Sequence, residues 1–142
     1  MRNIYYLIWA ESIQSIRKFQ PNNKNWKFTI FFVITAMNAF NYATIIIWLK
    51  YLNILIIPHV DIVFFPGYMI NSFFEFIINF ASPFIILNYI LIIRNDRYKK
   101  IVKKYTHLNK RYGYIYSMIT LIAIFLSAIL YGILTGTIFG LI

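Results

Sequence analysis

With 142 residues, 61% of them hydrophobic and only 13% charged, and a mean hydropathy of +0.66, the chain carries more apolar surface than a soluble domain of its size can bury. Its formal charge of +10 is concentrated in two stretches: +7 between Arg94 and Arg111 (eight cations against Asp96) and +4 in residues 1–27 (five cations against Glu11). There is no cysteine, which excludes disulfide frameworks, thiolate metal sites and cysteine nucleophiles.

Residues 3–19 read as an amphipathic helix. At about 100° per residue, Tyr5, Ile8, Trp9, Ile13, Ile16 and Phe19 share one face, opposite Glu11, Gln14, Ser15 and Lys18. Ile4 and Leu7 depart from the pattern. Such a helix is expected to lie along the membrane surface with its apolar face in the headgroup boundary. A cleaved signal peptide competes with this reading, but the apolar part after Arg2 is short and no small-x-small site follows it. The turn Gln20-Pro-Asn-Asn-Lys-Asn ends the helix, and Trp26 and Lys27 mark the water boundary. Residues 1–27 thus form a cytoplasmic helix and turn, ahead of an all-α, polytopic transmembrane domain over 28–142 with three spans.

The first span, 28–49, has about the length that ~30 Å of hydrocarbon requires. Thr35, Asn38, Asn41 (or Tyr42) and Ile45 recur at helical spacing, so two amides turn toward a neighbouring helix rather than lipid. Residues 51–67, with Pro58, His59, Asp61 and Pro66-Gly67, are too interrupted for a crossing and are expected outside, half-embedded among headgroups.

The second span, 70–93, carries Asn71, Glu75 and Asn79 along one face. An ionisable group in hydrocarbon is a functional candidate by default. However, about 20 residues back from Arg94 is the outer boundary, so Glu75 is expected at the interface. There a Lys50–Glu75 ion pair, with His59 and Asp61 completing an outer polar group, competes with a proton or cation site. Pro83 predicts a kink.

The loop 94–113 holds Arg94, Arg97, Lys99, Lys100, Lys103, Lys104, Lys110 and Arg111. Each cation near an anionic leaflet contributes about 1 kcal/mol of attraction, so anionic headgroups are the expected partner. An acidic protein partner is the competing reading; nucleic acid is not expected, because the loop has neither a reader module nor interleaved aromatics. Two spans separate the basic stretches, so both belong in the cytoplasm, with the N-terminus inside and the C-terminus outside.

In the third span, 114–138, Ala128, Gly132, Gly136 and Gly140 stand four residues apart, the spacing of small-residue helix association. Internal packing and association with another membrane protein, or a second copy, are both open. His59 and His107 fall on opposite sides of the membrane, and no phosphate loop or nucleophile motif occurs. No catalytic residue, metal or cofactor is expected, and an enzyme is not.

The segments Ile4-Tyr-Tyr-Leu-Ile-Trp-Ala-Glu-Ser-Ile and Leu87-Asn-Tyr-Ile-Leu-Ile-Ile-Arg-Asn-Asp-Arg-Tyr-Lys-Lys are similar to small uncharacterised inner-membrane proteins of Bacteroidetes-type genomes. The resemblance covers about a third of the chain; it implies a bacterial inner membrane and brings no activity. The expected function is structural: an accessory or immunity-type subunit docking through the glycine face. The alternative is a small oligomeric channel or proton-coupled transporter with Asn71, Glu75 and Asn79 around a shared pore.

Overall fold

The computed structural model describes residues 3–54, 58, 60–105 and 111–136. His59, His107, Lys110, Gly140 and the expected end of the third span at 137–138 lie outside the described residues. The described chain is helical, and three of its helical stretches are long and apolar enough to cross a membrane: Trp26–Tyr51, Tyr68–Lys104 and Tyr112–Leu134. This is a small polytopic all-α membrane protein.

Helix α1 (Ile4–Phe19) begins on Asn3, whose side chain accepts the Tyr5 N–H, and ends at Gln20, which Pro21 forces out of helical geometry. Helix α2 (Trp26–Tyr51) is the first span. The second span is built from α3 (Tyr68–Phe76), a π-turn (Ile77–Ala81), α4 (Ser82–Asn88) and a second π-turn (Tyr89–Ile93). Pro83 explains the first π-turn. The Ser82 N–H reaches back five residues to the Ile77 carbonyl; Pro83 has no N–H for the next carbonyl, Ile78, so the Ser82 hydroxyl donates to it instead at 2.7 Å.

Past Ile93 the chain makes a single 3-10 turn (Arg94–Asp96) in which Asn95 and Asp96 both adopt left-handed geometry, at φ 56° and 54°. Asn and Asp are the non-glycine residues that tolerate it best. This break redirects the chain into α5 (Arg97–Lys104), where a loop was expected. Tyr98, Ile101 and Val102 face the protein while Lys99, Lys100 and Lys104 face out. Exposed Asp96 accepts a 2.7 Å hydrogen bond from Lys99, which holds its carboxyl below the usual carboxylate range. The third span is α6 (Tyr112–Leu134).

The spans do not close into a symmetric bundle. Helix α2 lies in the middle, with the first π-turn and α4 on one flank and α6 on the other. At the basic end α1 inserts among α2, α5 and α6. The main core sits there: Ile8, Trp9 and Ile13 of α1 meet Ile30 and Ile34 of α2, Ile92 and Tyr98. The Trp26 and Tyr98 rings meet edge to face at 5.5 Å, with Lys27 over Tyr98, so both basic stretches share one end of the molecule.

The N-terminal helix is therefore present, and its apolar face is covered by protein at Ile8, Trp9 and Ile13 while Phe19 at its end is exposed. Leu7, which broke the amphipathic pattern, packs with Ala10 against Tyr105 on a second side. Glu11, expected to face water, instead accepts the Gly113 N–H at 2.8 Å in the first turn of α6. A carboxylate there satisfies an otherwise orphan amide and complements the positive end of the helix dipole.

Candidate functional site

Two polar constellations lie within the apolar body. The first joins all the helical layers. Asn88 is completely buried. Its amide donates to the Thr35 hydroxyl at 2.8 Å, and its side-chain oxygen accepts from the Tyr5 hydroxyl. Tyr5 accepts in turn from Asn38 at 3.2 Å, and the Asn38 oxygen accepts from Tyr116 at 2.6 Å. Asn41 then donates to both Tyr116 and Thr120, each at 3.0 Å. Six hydrogen bonds thus link seven side chains from α1, α2, α4 and α6.

Each of the seven side chains has at least one partner, and a buried polar network satisfied in this way strengthens a fold. Asn88 stands six residues before Arg94, about 9 Å along the helix from the basic end. At that depth the bonds replace solvation that hydrocarbon cannot supply, each contributing ~0.6–2 kcal/mol. Burial also pushes the Tyr5 hydroxyl pKa up, so it stays protonated as the donor to Asn88. Beside Tyr5, one turn along α1, the Trp9 indole N–H is the buried side-chain polar atom without a hydrogen-bond partner among the described residues.

The second constellation is the Asn71, Glu75 and Asn79 face, and it holds the chain's own backbone. Asn79 accepts from the Val60 N–H at 2.9 Å and donates to the Val60 carbonyl at 3.0 Å. Glu75 accepts from the Ile62 N–H at 2.9 Å. Asn71 accepts from the Phe65 N–H at 2.9 Å and donates back to its carbonyl at 3.0 Å. From Asn79 to Glu75 the match is geometric, since one i to i+4 step on a helix advances about 6 Å, close to the ~6.6 Å of the two extended residues from Val60 to Ile62; the next step, to Asn71, takes up three residues, Ile62 to Phe65.

Residues 60–65 consequently run antiparallel to α3 and, at Asn79, reach about 16 Å past Tyr68 along the helix. Non-helical backbone at such depth is tolerated only where protein satisfies it, and these three side chains do so. Of the residues expected in an outer polar group, Lys50 is exposed in the last turn of α2 and Glu75 holds the Ile62 N–H.

This clamp on residues 60–65 makes a prediction that the absence of cysteine renders clean to test. A single cysteine at position 62, where the side chain is half-buried, should react slowly with a membrane-impermeant maleimide. Adding Asn79→Leu removes both bonds to Val60 and should raise that rate roughly tenfold, on the scale of two interhelical-type hydrogen bonds. Glu75→Gln keeps an acceptor for the backbone N–H at position 62 and should leave the rate near that of the parent. Equal labelling in all three proteins would refute the clamp.

The glycine face needs correction. Helix α6 ends at Leu134, and Gly136 follows at φ 73°, the left-handed geometry that terminates helices. Its N–H bonds the Ile133 carbonyl at 3.2 Å. Gly136 is thus a helix stop, not a packing ridge; of the rest, Gly132 is buried and Ala128 exposed. A close helix approach also falls on a glycine that sequence spacing did not mark, Gly113. A Cβ on Gly113 would lie 2.2 Å from the Ser12 hydroxyl, 2.5 Å from the Glu11 carboxylate and 3.4 Å from the Ile8 carbonyl.

No protein-family model, curated protein or solved structure matches the chain.

Proposed function

We propose that this integral membrane protein is a structural subunit, accessory or immunity-type, that binds a partner within a bacterial inner membrane, with α1 and α5 on the cytoplasmic side. The observation that carries the reading is the open flank of α6. Among the described elements this span meets α1 near the basic end and α2 along one side. Its other sides present Ile119, Ile122, Phe125 and Leu126, each more than half exposed, and Ala128 is exposed beside Phe125. Lipid satisfies such a surface, and so does a helix of another protein. A small residue among large ones is the kind of site at which membrane helices approach closely. The orientation rests on the positive-inside rule, since both basic stretches share one end.

A pore lined by Asn71, Glu75 and Asn79 fits less well, because residues 60–65 already engage all three side chains. Tagged protein, taken at native expression into mild detergent, should emerge in a defined complex with a second membrane protein. Ala128→Phe should abolish that complex without changing the helical content of the isolated chain. A homo-oligomer that conducts protons in liposomes, and loses conduction with Glu75→Gln, would overturn the proposal in favour of a channel.

A further inference from the structure

Between α1, α2 and the first turns of α6 lies a groove of about 380 Å³, a volume within the range of small-ligand sites. Its walls are apolar, with Ile16, Phe19, Ile30 and Val33 among them, whereas Ser12, Ser15, Thr29 and Ser117 place hydroxyls along its length. Val33 and Tyr114 on its edges are exposed on the lipid-facing sides of two spans, so the groove opens sideways toward the bilayer. We infer that it holds one phospholipid with an anionic headgroup, drawn from the leaflet at the basic end.

Charge complementarity selects that occupant. The end of the groove at Phe19, Gln20 and Thr29 is flanked in sequence by Lys18 and Lys24, both exposed, whereas Arg17 and Lys27 turn to the Trp26 and Tyr98 rings. A phosphate at this mouth stands near two exposed lysines, Lys18 and Lys24. The one carboxylate lining the groove, Glu11, lies toward Gly113 and is already engaged with the α6 amide. Glycerol ester oxygens are acceptors, and the hydroxyls of Ser12, Ser15 and Ser117 supply donors along the groove. An acyl chain then continues along Ile30 and Val33 into hydrocarbon. A wholly apolar occupant leaves those hydroxyls unmatched, and a soluble anion leaves the apolar walls uncovered.

Protein exchanged from detergent into mixed phosphatidylglycerol and phosphatidylcholine micelles tests this by native mass spectrometry. One phosphatidylglycerol per chain should survive activation, favoured about tenfold or more over phosphatidylcholine, as two or more nearby cations imply. Ser15→Phe and Ser117→Phe, which fill the groove, should abolish retention. Lys18→Gln combined with Lys24→Gln should keep lipid binding but lose the headgroup preference. Lys99→Gln with Lys100→Gln on α5 should change neither. Circular dichroism melts establish that each variant is folded, and Ser15→Ala serves where Ser15→Phe is not. Equal retention of both lipids, no stoichiometric lipid, or loss only with the α5 substitutions would overturn the assignment.

Discussion

Asn88→Ala is expected to lower stability by about 2–4 kcal/mol in mild detergent, more than any other removal of a polar side chain from the spans. Two hydrogen bonds disappear, each in the ~0.6–2 kcal/mol range for interhelical contacts. The Tyr5 and Thr35 hydroxyls are also left without their partner, and an unsatisfied buried group costs ~1–3 kcal/mol. Because Asn88 has no exposed surface, water cannot replace it without opening the helices. Asn88→Asp should be at least as damaging: it keeps an acceptor for Tyr5 but cannot donate to Thr35 and buries a charge. Asn41→Ala should cost less, since Asn41 is only half-buried and Tyr116 retains its bond to Asn38. Reversible unfolding in mixed micelles, followed by circular dichroism, gives the ranking. A double-mutant cycle with Tyr5→Phe should be strongly non-additive because both changes remove the same bond. Additive costs, or an Asn88→Ala protein within about 0.5 kcal/mol of the parent, would show that the network does not bind α1 to α4.

That network marks the boundary of what the amino-acid sequence discloses. The three spans were legible because each is a continuous apolar run bounded by charge or turn residues, and hydrocarbon leaves helices as the only open-ended solution. Asn38 and Asn41 were legible as residues facing a neighbour through their helical spacing with Thr35, but their partners were not. Tyr5 comes from a helix expected on the membrane surface, and nothing local ties it to residues 33 and 83 positions away. Asn88 carried a signal: it is a lone amide in the run Ile85-Ile86-Leu87-Asn88-Tyr89-Ile90. So did α5, where Tyr98, Ile101, Val102 and Tyr105 recur at helical spacing beneath a cation density that reads as loop.

The clamp on residues 60–65 illustrates a different limit. Asn71, Glu75 and Asn79 were correctly placed on one face, yet spacing alone does not distinguish a face turned to a pore from one that binds backbone. Helical spacing likewise overstated the glycines of α6, since Gly132 and Gly136 share a face only while the helix continues, and it stops between them.

Gly113→Val is expected to detach α1 from the bundle. Even the Cβ of alanine meets Ser12 and Glu11 well inside contact distance, and only by turning both side chains aside can the backbones stay in place. Ser12 rotates cheaply, but moving Glu11 uncovers the α6 amide and loses the helix-terminus interaction, worth ~0.3–1 kcal/mol or more when partly buried. Alanine regains up to ~1 kcal/mol of helix propensity over glycine, so Gly113→Ala should be only mildly destabilising. Valine adds methyl groups beside the Ile8 carbonyl, already 3.4 Å from where the Cβ would lie, and backbone cannot rotate away. Overpacking of this kind costs ~1–3 kcal/mol or more. Hydrogen exchange over residues 7–13, which hold the buried side chains of α1, should lose protection in Gly113→Val while the middle of α2 keeps it. Glu11→Gln should sit near the parent because the amide oxygen still accepts from Gly113, whereas Glu11→Ala should approach Gly113→Ala. Undiminished protection of residues 7–13 in Gly113→Val would mean that α1 is held without this approach. Loss of protection would also remove one wall of the groove between α1, α2 and α6, so the same variant should release the bound lipid and link N-terminal docking to the membrane face of the protein.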